Sequence, residues 1–263
     1  VAINMIAFSI ARITGPAIAG YLIAWVGAEG NLFLQALVYA AAALTVFMIT
    51  LPPREIKPSG MSALHDLMQG VRFAFTDPTA RVLLIAGMTP FILLVPIFGG
   101  LLPLYAKDVF NAGPEVLGML LTSVGVGGVG GSWLASKCVL LKRQGVVQAS
   151  AVFVMSAGFL ALAAAPTVAL ACAALVLSGS AEMVHFTSNQ ATLQMKVPES
   201  MRGRITSLMQ LYPGFVSIGI VIEGIIADVI GIQWVTVGIA IAASTAMALL
   251  LARGGLAEVQ VTK

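Results

Sequence analysis

The sequence predicts an all-α polytopic membrane protein with about eight transmembrane helices. Hydrophobic residues make up 59% of its 263 positions and charged residues only 10%, whereas a soluble domain carries about 25% charged residues. Mean hydropathy is +0.99. The apolar runs are continuous and about 20 residues long or longer, enough for a helix to cross a ~30 Å hydrocarbon core; a β-barrel would show short alternating segments instead. The runs are 3–26, 32–51, 82–105, 115–136, 146–166, 168–194, 206–230 and 232–252.

Lysine and arginine fall on alternate connections between these segments. If the first connection is placed outside and the sides then alternate, the outer connections hold only Lys107. Cytoplasmic loops carry an excess of Lys and Arg, so the pattern predicts a cytoplasmic C-terminus. No basic cluster alternates with aromatic residues, so no nucleic-acid partner is expected. The basic residues on the predicted inner side are Arg54, Lys57, Arg72, Arg81, Lys137, Lys142, Arg143, Lys196, Arg202, Arg204, Arg253 and Lys263.

The first two segments share a glycine pattern with the last two. The glycines of one copy recur 204 residues later in the other: Gly15, Gly20 and Gly27 correspond to Gly219, Gly224 and Gly231. Chance is the alternative explanation in a glycine-rich chain. A duplicated architecture, found in many transporters, would make 1–51 the last two helices of an N-terminal bundle. Residues 82–253 would then form a complete six-helix C-terminal bundle, and the first bundle would lack four helices.

Residues 52–81 are expected to link the two bundles on the cytoplasmic side, and 254–263 to form a cytoplasmic tail. Several prolines break helix continuity at the start of the linker. Apolar residues then recur at helical spacing between Leu64 and Phe75. This predicts an amphipathic helix, which either lies on the inner membrane surface or packs as a short helix under the bundle.

Three stretches resemble the major facilitator superfamily, in the branch of predicted drug and siderophore exporters that includes the enterobactin exporters. They read NMIAFSIARITGPAIAGYLIAWVG, LLPLYAKDVFNAGPEVLGMLLTSVGVGGVGG and VPESMRGRITSL. The resemblance implies helices five to twelve of a twelve-helix fold in a bacterial inner membrane. It also implies a secondary transporter that exports small amphipathic molecules by alternating access. Protons are the expected coupling ions because a Glu and a His inside the membrane can titrate, and no cofactor is expected.

Within the first segment, Ala11 to Gly20 is similar to the antiporter motif of this family, G-xxx-GP-xx-GG. Ala11 and Ala19 stand where the motif has glycine. Proline removes a backbone donor and bends a helix, and small residues allow helices to approach closely. The interpretation is a kink with a gating role at Gly15, Pro16 and Gly20, and simple kinked packing is the alternative. A second interruption suited to gating is expected at Pro213 and Gly214.

One face of segment six carries a series of polar residues spaced by four, three, four, three and four positions. Glu182 lies roughly 20 Å from either end of the segment at 1.5 Å per residue, and a carboxylate at that depth costs at least ~2.5 kcal/mol unless it is paired or hydrated. By the resemblance this segment is helix ten, which lines the central cavity. The hypothesis is a substrate or proton site, and the alternative is a structural polar seam. The series is Ser178, Glu182, His185, Asn189, Thr192 and Lys196.

Two further charges lie inside apolar segments. Arg12 either snorkels to the inner surface or pairs with a carboxylate during transport, and it is included among the coupling candidates. Glu223 stands where the other repeat has Ala19. It lies close to Asp228 near the outer end of segment seven. A solvated position is therefore expected for it, and a chemical role is the alternative.

Other chemistries are not supported by the residues. Gly125 to Gly130 spells a dinucleotide fingerprint but follows no strand, so close helix packing is expected there. Glu182 and His185 resemble half of a di-iron site, and the second half is absent. No nucleophile with an ordered partner is evident, so an enzyme is not predicted. The alternative to a transporter is a membrane scaffold or assembly protein that transports nothing.

Overall fold

The computed structural model of the protein describes residues 2–48, 63–253 and 255–260, without the side chains of 2–13, 17 and 63–67. Residues 52–62 of the expected linker lie outside the described residues. The predicted all-α membrane fold is confirmed: in the described ranges, seven helices are long and apolar enough to cross a membrane. The first of these, Thr14–Phe47, contains most of the first two predicted segments in one run, which explains why seven are found where eight were expected.

Helix α1 (Ala2–Phe47) consists of two helices that meet at Gly27. Gly27 has φ 76° and ψ 171°, a conformation that essentially only glycine adopts. Pro16 lies inside the first part without ending it. The predicted boundary between segments one and two is therefore a single residue with non-helical backbone.

Helix α2 (Ala63–Thr76) packs against α8 (Glu199–Met209) and against the start of α3. A Cβ on Gly70 would lie 3.2 Å from the carbonyl oxygen of Arg204, so glycine allows this close approach. The side of α2 that carries Gly70 is therefore in contact with α8, while Met68 and Phe75 on α2 are exposed.

The span that corresponds to the third predicted segment, Pro78–Val109, is not a regular helix throughout. Helix α3 (Pro78–Leu93) is capped at its N-terminus by Asp77, whose Oδ1 accepts a hydrogen bond from the N–H of Ala80 at 2.6 Å. Beyond Pro96 the chain forms a π-helix (Ile97–Leu101), which we call the π segment, then the short α4 (Leu102–Leu104) and a second π-helix (Tyr105–Val109). π-Helices are rare and occur frequently at functional sites.

Helices α5 (Pro114–Cys138), α6 (Gln144–Ala163) and α7 (Val168–Lys196) pack together without space for side chains at several crossings. A Cβ on Gly127 would collide with the carbonyl of Val176, and one on Gly131 with that of Ser180. The glycines of the apparent dinucleotide fingerprint thus belong to a stretch that packs against α7.

Helices α9 (Tyr212–Ile230) and α10 (Ile232–Ala252) complete the bundle and are separated by Gly231, with φ 90° and ψ 150°. The C-terminal segment then returns to the start of α6. Leu256 is fully buried, and the N–H of Gly145 donates to the carbonyl of Val259 at 3.3 Å. The described part of the expected tail, 255–260, is therefore packed against the bundle.

Candidate functional site

The polar face of α7 is largely buried inside the bundle. Ser178, His185, Asn189 and Thr192 are each at most 2% exposed. They recur at three- and four-residue spacing, so they lie on one face of the helix. Glu182 is half-buried and Lys196 at the end of α7 is exposed. The structure therefore places four members of the predicted series together and the two charged members in less buried positions.

Gln148 on α6 connects this buried face. Its side-chain oxygen accepts from Asn189 Nδ2 at 3.0 Å, and its Nε2 donates to Thr192 Oγ1 at 3.4 Å. Its backbone carbonyl lies 3.1 Å from Nδ1 of His185. Asn189 Nδ2 also donates to the carbonyl of Leu83 at 2.8 Å, which adds α3 to the network. The polar groups thus hold α3, α6 and α7 together.

Several atoms of the network are buried without a hydrogen-bond partner among the described residues. These atoms are His185 Nε2, Asn189 Oδ1 and Ser188 Oγ. Unpaired buried polar groups cost about 1–3 kcal/mol each. The network is therefore only partly satisfied, in contrast to a purely structural seam in which each member would be paired.

Ser178 joins α7 to α6 at the other end of the face. Its hydroxyl donates to the carbonyls of Met155 and Ala174, each at 3.2 Å. A Cβ on Gly158 would collide with the Ser178 hydroxyl. The absence of a side chain at Gly158 is what lets the two helices approach closely enough for this bond.

Glu182 belongs to a different stripe of α7 from His185. It is followed one turn later by Phe186 and two turns later by Gln190, which both line a cavity of about 120 Å³. The ring of Phe91 on α3 lies 5.9 Å from the Phe186 ring and 5.4 Å from the Tyr212 ring. The other residues around the cavity are Thr206, Met209, Gln210 and Pro213.

The cavity has the composition of a site for amphipathic ligands. Aromatic rings, a methionine, a hydroxyl and amides face one space, and such mixtures of apolar walls with a few polar groups are typical of small-molecule sites. The carboxylate of Glu182 stands one turn from it along α7. The structure thus places His185 in a buried interface, whereas Glu182 lies one turn before the cavity-lining residues of α7.

The residues of the expected kink lie where α1 crosses α5. A Cβ on Gly20 would lie 2.8 Å from the carbonyl oxygen of Pro114 and 2.9 Å from Cα of Gly118. A Cβ on Gly118 would lie 2.9 Å from the carbonyl oxygen of Pro16. A Cβ on Gly15, in contrast, would meet nothing within 4 Å. Of the motif glycines, Gly20 is the one that determines the approach of the helices.

The remaining predicted site residues are located as follows. The Arg12 side chain lies outside the described residues. Pro213 occupies the first turn of α9, where its missing N–H costs nothing, and the helix interruption falls just before it, between α8 and α9. A Cβ on Gly214 would meet nothing within 4 Å.

The expectation that Glu223 is solvated is wrong. Its residue exposure is 3%, and both carboxyl oxygens are buried without a hydrogen-bond partner among the described residues. Asp228, five residues later on α9, is exposed. The expectation failed because sequence position near a helix end does not say which face of the helix a neighbouring element covers.

Gln148 is the residue that the sequence reasoning missed. An amide near the start of an otherwise apolar helix is a signal in itself, because its polar atoms need partners where the helix is buried. Gln144 one turn earlier is also buried, and it donates to the carbonyl of Leu141 at 2.6 Å. No group of three or more His, Cys, Asp or Glu side chains that could hold a metal ion is present in the part of the chain that the structure describes.

Comparison with known proteins gives a consistent result. The family model described as transmembrane secretion effector, within the major facilitator superfamily, matches residues 1–262. The multidrug efflux pump Tap of Mycolicibacterium fortuitum is 23% identical over 86% of this chain and 56% of its own length. Tap of Mycobacterium tuberculosis is 23% identical over 86% and 54%. The staphyloferrin A transporter of Staphylococcus aureus is 25% identical over 85% and 56%. The chain thus spans about half the length of these relatives, which are transporters and not enzymes.

Proposed function

Because the chain belongs to the transmembrane secretion effector family of the major facilitator superfamily, we propose that it exports small amphipathic molecules, of the drug or siderophore type, in exchange for protons. The chain is a multi-pass membrane protein of a transporter family that moves small molecules. The relatives described as a multidrug efflux pump and a staphyloferrin A transporter support the choice of substrate class.

The observation that carries the proposal is the cavity beside Glu182. Phe91, Phe186 and Gln190 offer aromatic and amide contacts within one space of about 120 Å³. This space is smaller than the roughly 300–1,000 Å³ of whole small-molecule sites, so it would hold one aromatic or aliphatic group of a larger ligand together with a polar group. Glu182 is the group on the same stripe of α7 that can bind a cationic part of the substrate or a proton.

The buried network is proposed to serve the same site indirectly. Ser178 and Asn189 hold α7 against α6 and α3, which keeps the Glu182 stripe turned toward the cavity. His185 keeps one ring nitrogen unpaired and is the second candidate for proton binding. Arg12 remains a candidate for pairing with a carboxylate during the transport cycle.

Alternating access would require two bundles that rock against each other. We assign residues 1–51 to one bundle and 82–253 to the other, with 52–81 as the cytoplasmic linker and 254–263 as the cytoplasmic tail. The crossing of α1 and α5 at Gly20 and Gly118 then lies between the bundles and is the proposed gate, with Gly15, Pro16, Pro213 and Gly214 as the sites of bending. The positive-inside distribution supports a bacterial inner membrane with the C-terminus in the cytoplasm.

Transport is tested by substrate accumulation in cells with and without the protein, each with and without an uncoupler. We expect lower accumulation of lipophilic dyes and drugs in expressing cells and loss of this difference on uncoupling. Glu182→Gln should raise accumulation toward that of cells without the protein, whereas Glu199→Gln, an exposed carboxylate of a surface ion pair, should not. Unchanged efflux in Glu182→Gln would remove Glu182 from the site. Equal accumulation with and without the protein would favour a scaffold.

A further inference from the structure

Glu223 is an acidic residue that is buried without a charged or hydrogen-bonding partner among the described residues. The residue is 3% exposed. Its two carboxyl oxygens are inaccessible and lack a hydrogen-bond partner among the described residues. An isolated ionised carboxylate in an apolar interior costs many kcal/mol, and such groups are found neutral or paired. The position therefore requires either a counter-ion or a proton.

The turn of α9 that precedes Glu223 packs tightly against its neighbours. A Cβ on Gly219, one turn before Glu223, would collide with the Pro96 ring and lie 2.7 Å from the carbonyl oxygen of Ile92. Helical side chains lean toward the N-terminus, so Glu223 covers this turn. Ile220 lies 3.1 Å from a Cβ built on Gly99 of the π segment. On this side of α9 there is no room for a solute between the two elements.

The backbone beside Glu223 is irregular. Pro96 has no N–H, so it cannot make the helical bond to the carbonyl of Ile92. The N–H of Ile97, at the start of the π segment, donates to the carbonyl of Leu94 at 3.3 Å. Regular α-helical bonding is thus interrupted next to the turn that Glu223 covers.

Among the described residues, the elements packed most extensively against α9, namely α3, the π segment and α10, hold no cationic side chain near Glu223. The π segment and α10 contain no Asp, Glu, His, Lys or Arg. On α3 the one charged residue is Arg81, eleven positions before Ile92 and thus roughly 16 Å along the helix. The hydroxyl of Tyr105 donates to Thr236 at 3.0 Å and that of Tyr212 to the carbonyl of Leu84 at 3.1 Å, so both are engaged elsewhere.

A proton is the one cation that fits these constraints. Hard metal ions take about six oxygen ligands, and no cluster of His, Cys, Asp or Glu that could supply them is present among the described residues. An organic cation would need volume between α9 and the π segment, where Gly219 and Ile220 pack tightly. A proton needs no volume, and the neutral carboxyl can donate to a backbone carbonyl.

We propose that Glu223 is a proton-binding site of this protein, occupied while α9 is packed against the π segment and emptied when the two separate. On separation, water enters, the carboxyl transfers its proton to that water, and the hydrated carboxylate remains. On closure a proton returns to the carboxylate before burial. The link to transport rests on the proposed function, whereas the proton site itself does not.

The proton is tested without transport by infrared spectroscopy of the purified protein in lipid. The C=O stretch of a protonated carboxyl in an apolar environment should be present at neutral pH. It should vanish in Glu223→Gln and persist in Asp228→Asn, the matched exposed carboxylate of the same helix. A band that Glu223→Gln leaves unchanged, or the lack of such a band in the wild type, would overturn the proposal.

A second measurement does not depend on folding of the variant. Dicyclohexylcarbodiimide reacts with protonated carboxyls in apolar surroundings, and peptide mass spectrometry of the treated wild-type protein should find the adduct at Glu223 and not at Asp228. Modification at Asp228 alone would count against the proposal.

The coupling is tested by comparing proton-driven efflux with substrate exchange in vesicles without a gradient. Glu223→Gln should reduce proton-driven efflux by about tenfold or more, within the usual range of coupling between two ligands, and leave exchange within about twofold. Equal loss of both would contradict coupling at Glu223. If the wild type moves no substrate in either assay, the proposed function fails while the infrared result still decides the proton site.

Discussion

The two regions with the repeated glycine pattern, α1 and the pair α9–α10, each have a glycine with positive φ between two helices, which we call the hinge. The two regions differ in how the helices around the hinge are packed. Gly27 and Gly231 both have positive φ, 76° and 90°, with ψ of 171° and 150°. A Cβ on either would meet nothing within 4 Å. The hinge in both copies is therefore a property of the local backbone and does not depend on a packing partner.

The other glycines of the pattern have exchanged roles between the copies. Gly15 is in open space, whereas its counterpart Gly219 is in tight contact with α3; Gly20 is in tight contact with α5, whereas its counterpart Gly224 is in open space. The same sequence pattern thus supports two different packing arrangements. Which glycine matters is decided by where the neighbouring helix crosses.

The residue just before the second of these glycines also differs between the copies, both in type and in burial. Ala19 on α1 is half-buried, whereas its counterpart Glu223 is almost fully buried. Helix α9 packs against α3, the π segment and α10, while α1 packs chiefly against α5. The copy that carries the acid is the one whose neighbours close over it.

The largest expected effect separates the counterparts Gly219 and Gly15. Gly219→Leu should destabilise the protein by about 3 kcal/mol, because overpacking against Pro96 and Ile92 forces the helices apart. Gly15→Leu should change stability by less than about 0.5 kcal/mol, as expected for an uncrowded position. Thermal unfolding in detergent, followed by fluorescence-detected size exclusion, measures both. Equal losses would refute the exchange of roles.

The hinges should respond alike. Gly27→Ala and Gly231→Ala should each cost about 2 kcal/mol, because an L-residue is strained in this backbone conformation wherever it occurs. The same unfolding assay compares them. A cost at Gly231 several times that at Gly27 would show that packing, and not local backbone strain, maintains the turn.

The smallest effect is expected for the second exchanged pair. Gly20→Ala should cost about 1 kcal/mol, since one methyl group displaces α5 slightly at Gly118, and Gly224→Ala should be neutral within about 0.5 kcal/mol. Substrate efflux should fall for Gly20→Ala if the crossing acts as the gate. If Gly224→Ala proves the more damaging of the two, the contact at Gly20 is not the determinant of this region.

Most of the fold could be predicted because hydrophobicity and charge act residue by residue. Six of the eight predicted segments correspond to separate spans, and the remaining two meet at Gly27 within one described run. The π segment beyond Pro96 was not predicted, because π-helical bonding depends on contacts of the whole span and has no simple residue pattern.

The candidate site was predictable only in part. Spacing alone placed Ser178, His185 and Asn189 on one face of α7, as the structure does. Spacing did not separate Glu182 from His185, since the two differ by less than one turn and only the positions of α3 and α6 show which is covered. Gln148 was missed because it lies on α6, and the spacing of residues along α7 does not show which residues of another helix lie beside it.

By itself the sequence determined the helical membrane fold, because the solvation of apolar side chains acts residue by residue, and its Lys and Arg distribution predicts which loops are cytoplasmic. The tertiary structure alone decided which glycine touches a neighbour, which amide completes the α7 network and that Glu223 is enclosed. These depend on where two helices cross, and a crossing is set by the packing of many side chains together. For Glu223, the sequence shows only an acid near a helix end, whereas the structure shows a buried carboxyl without a hydrogen-bond partner among the described residues.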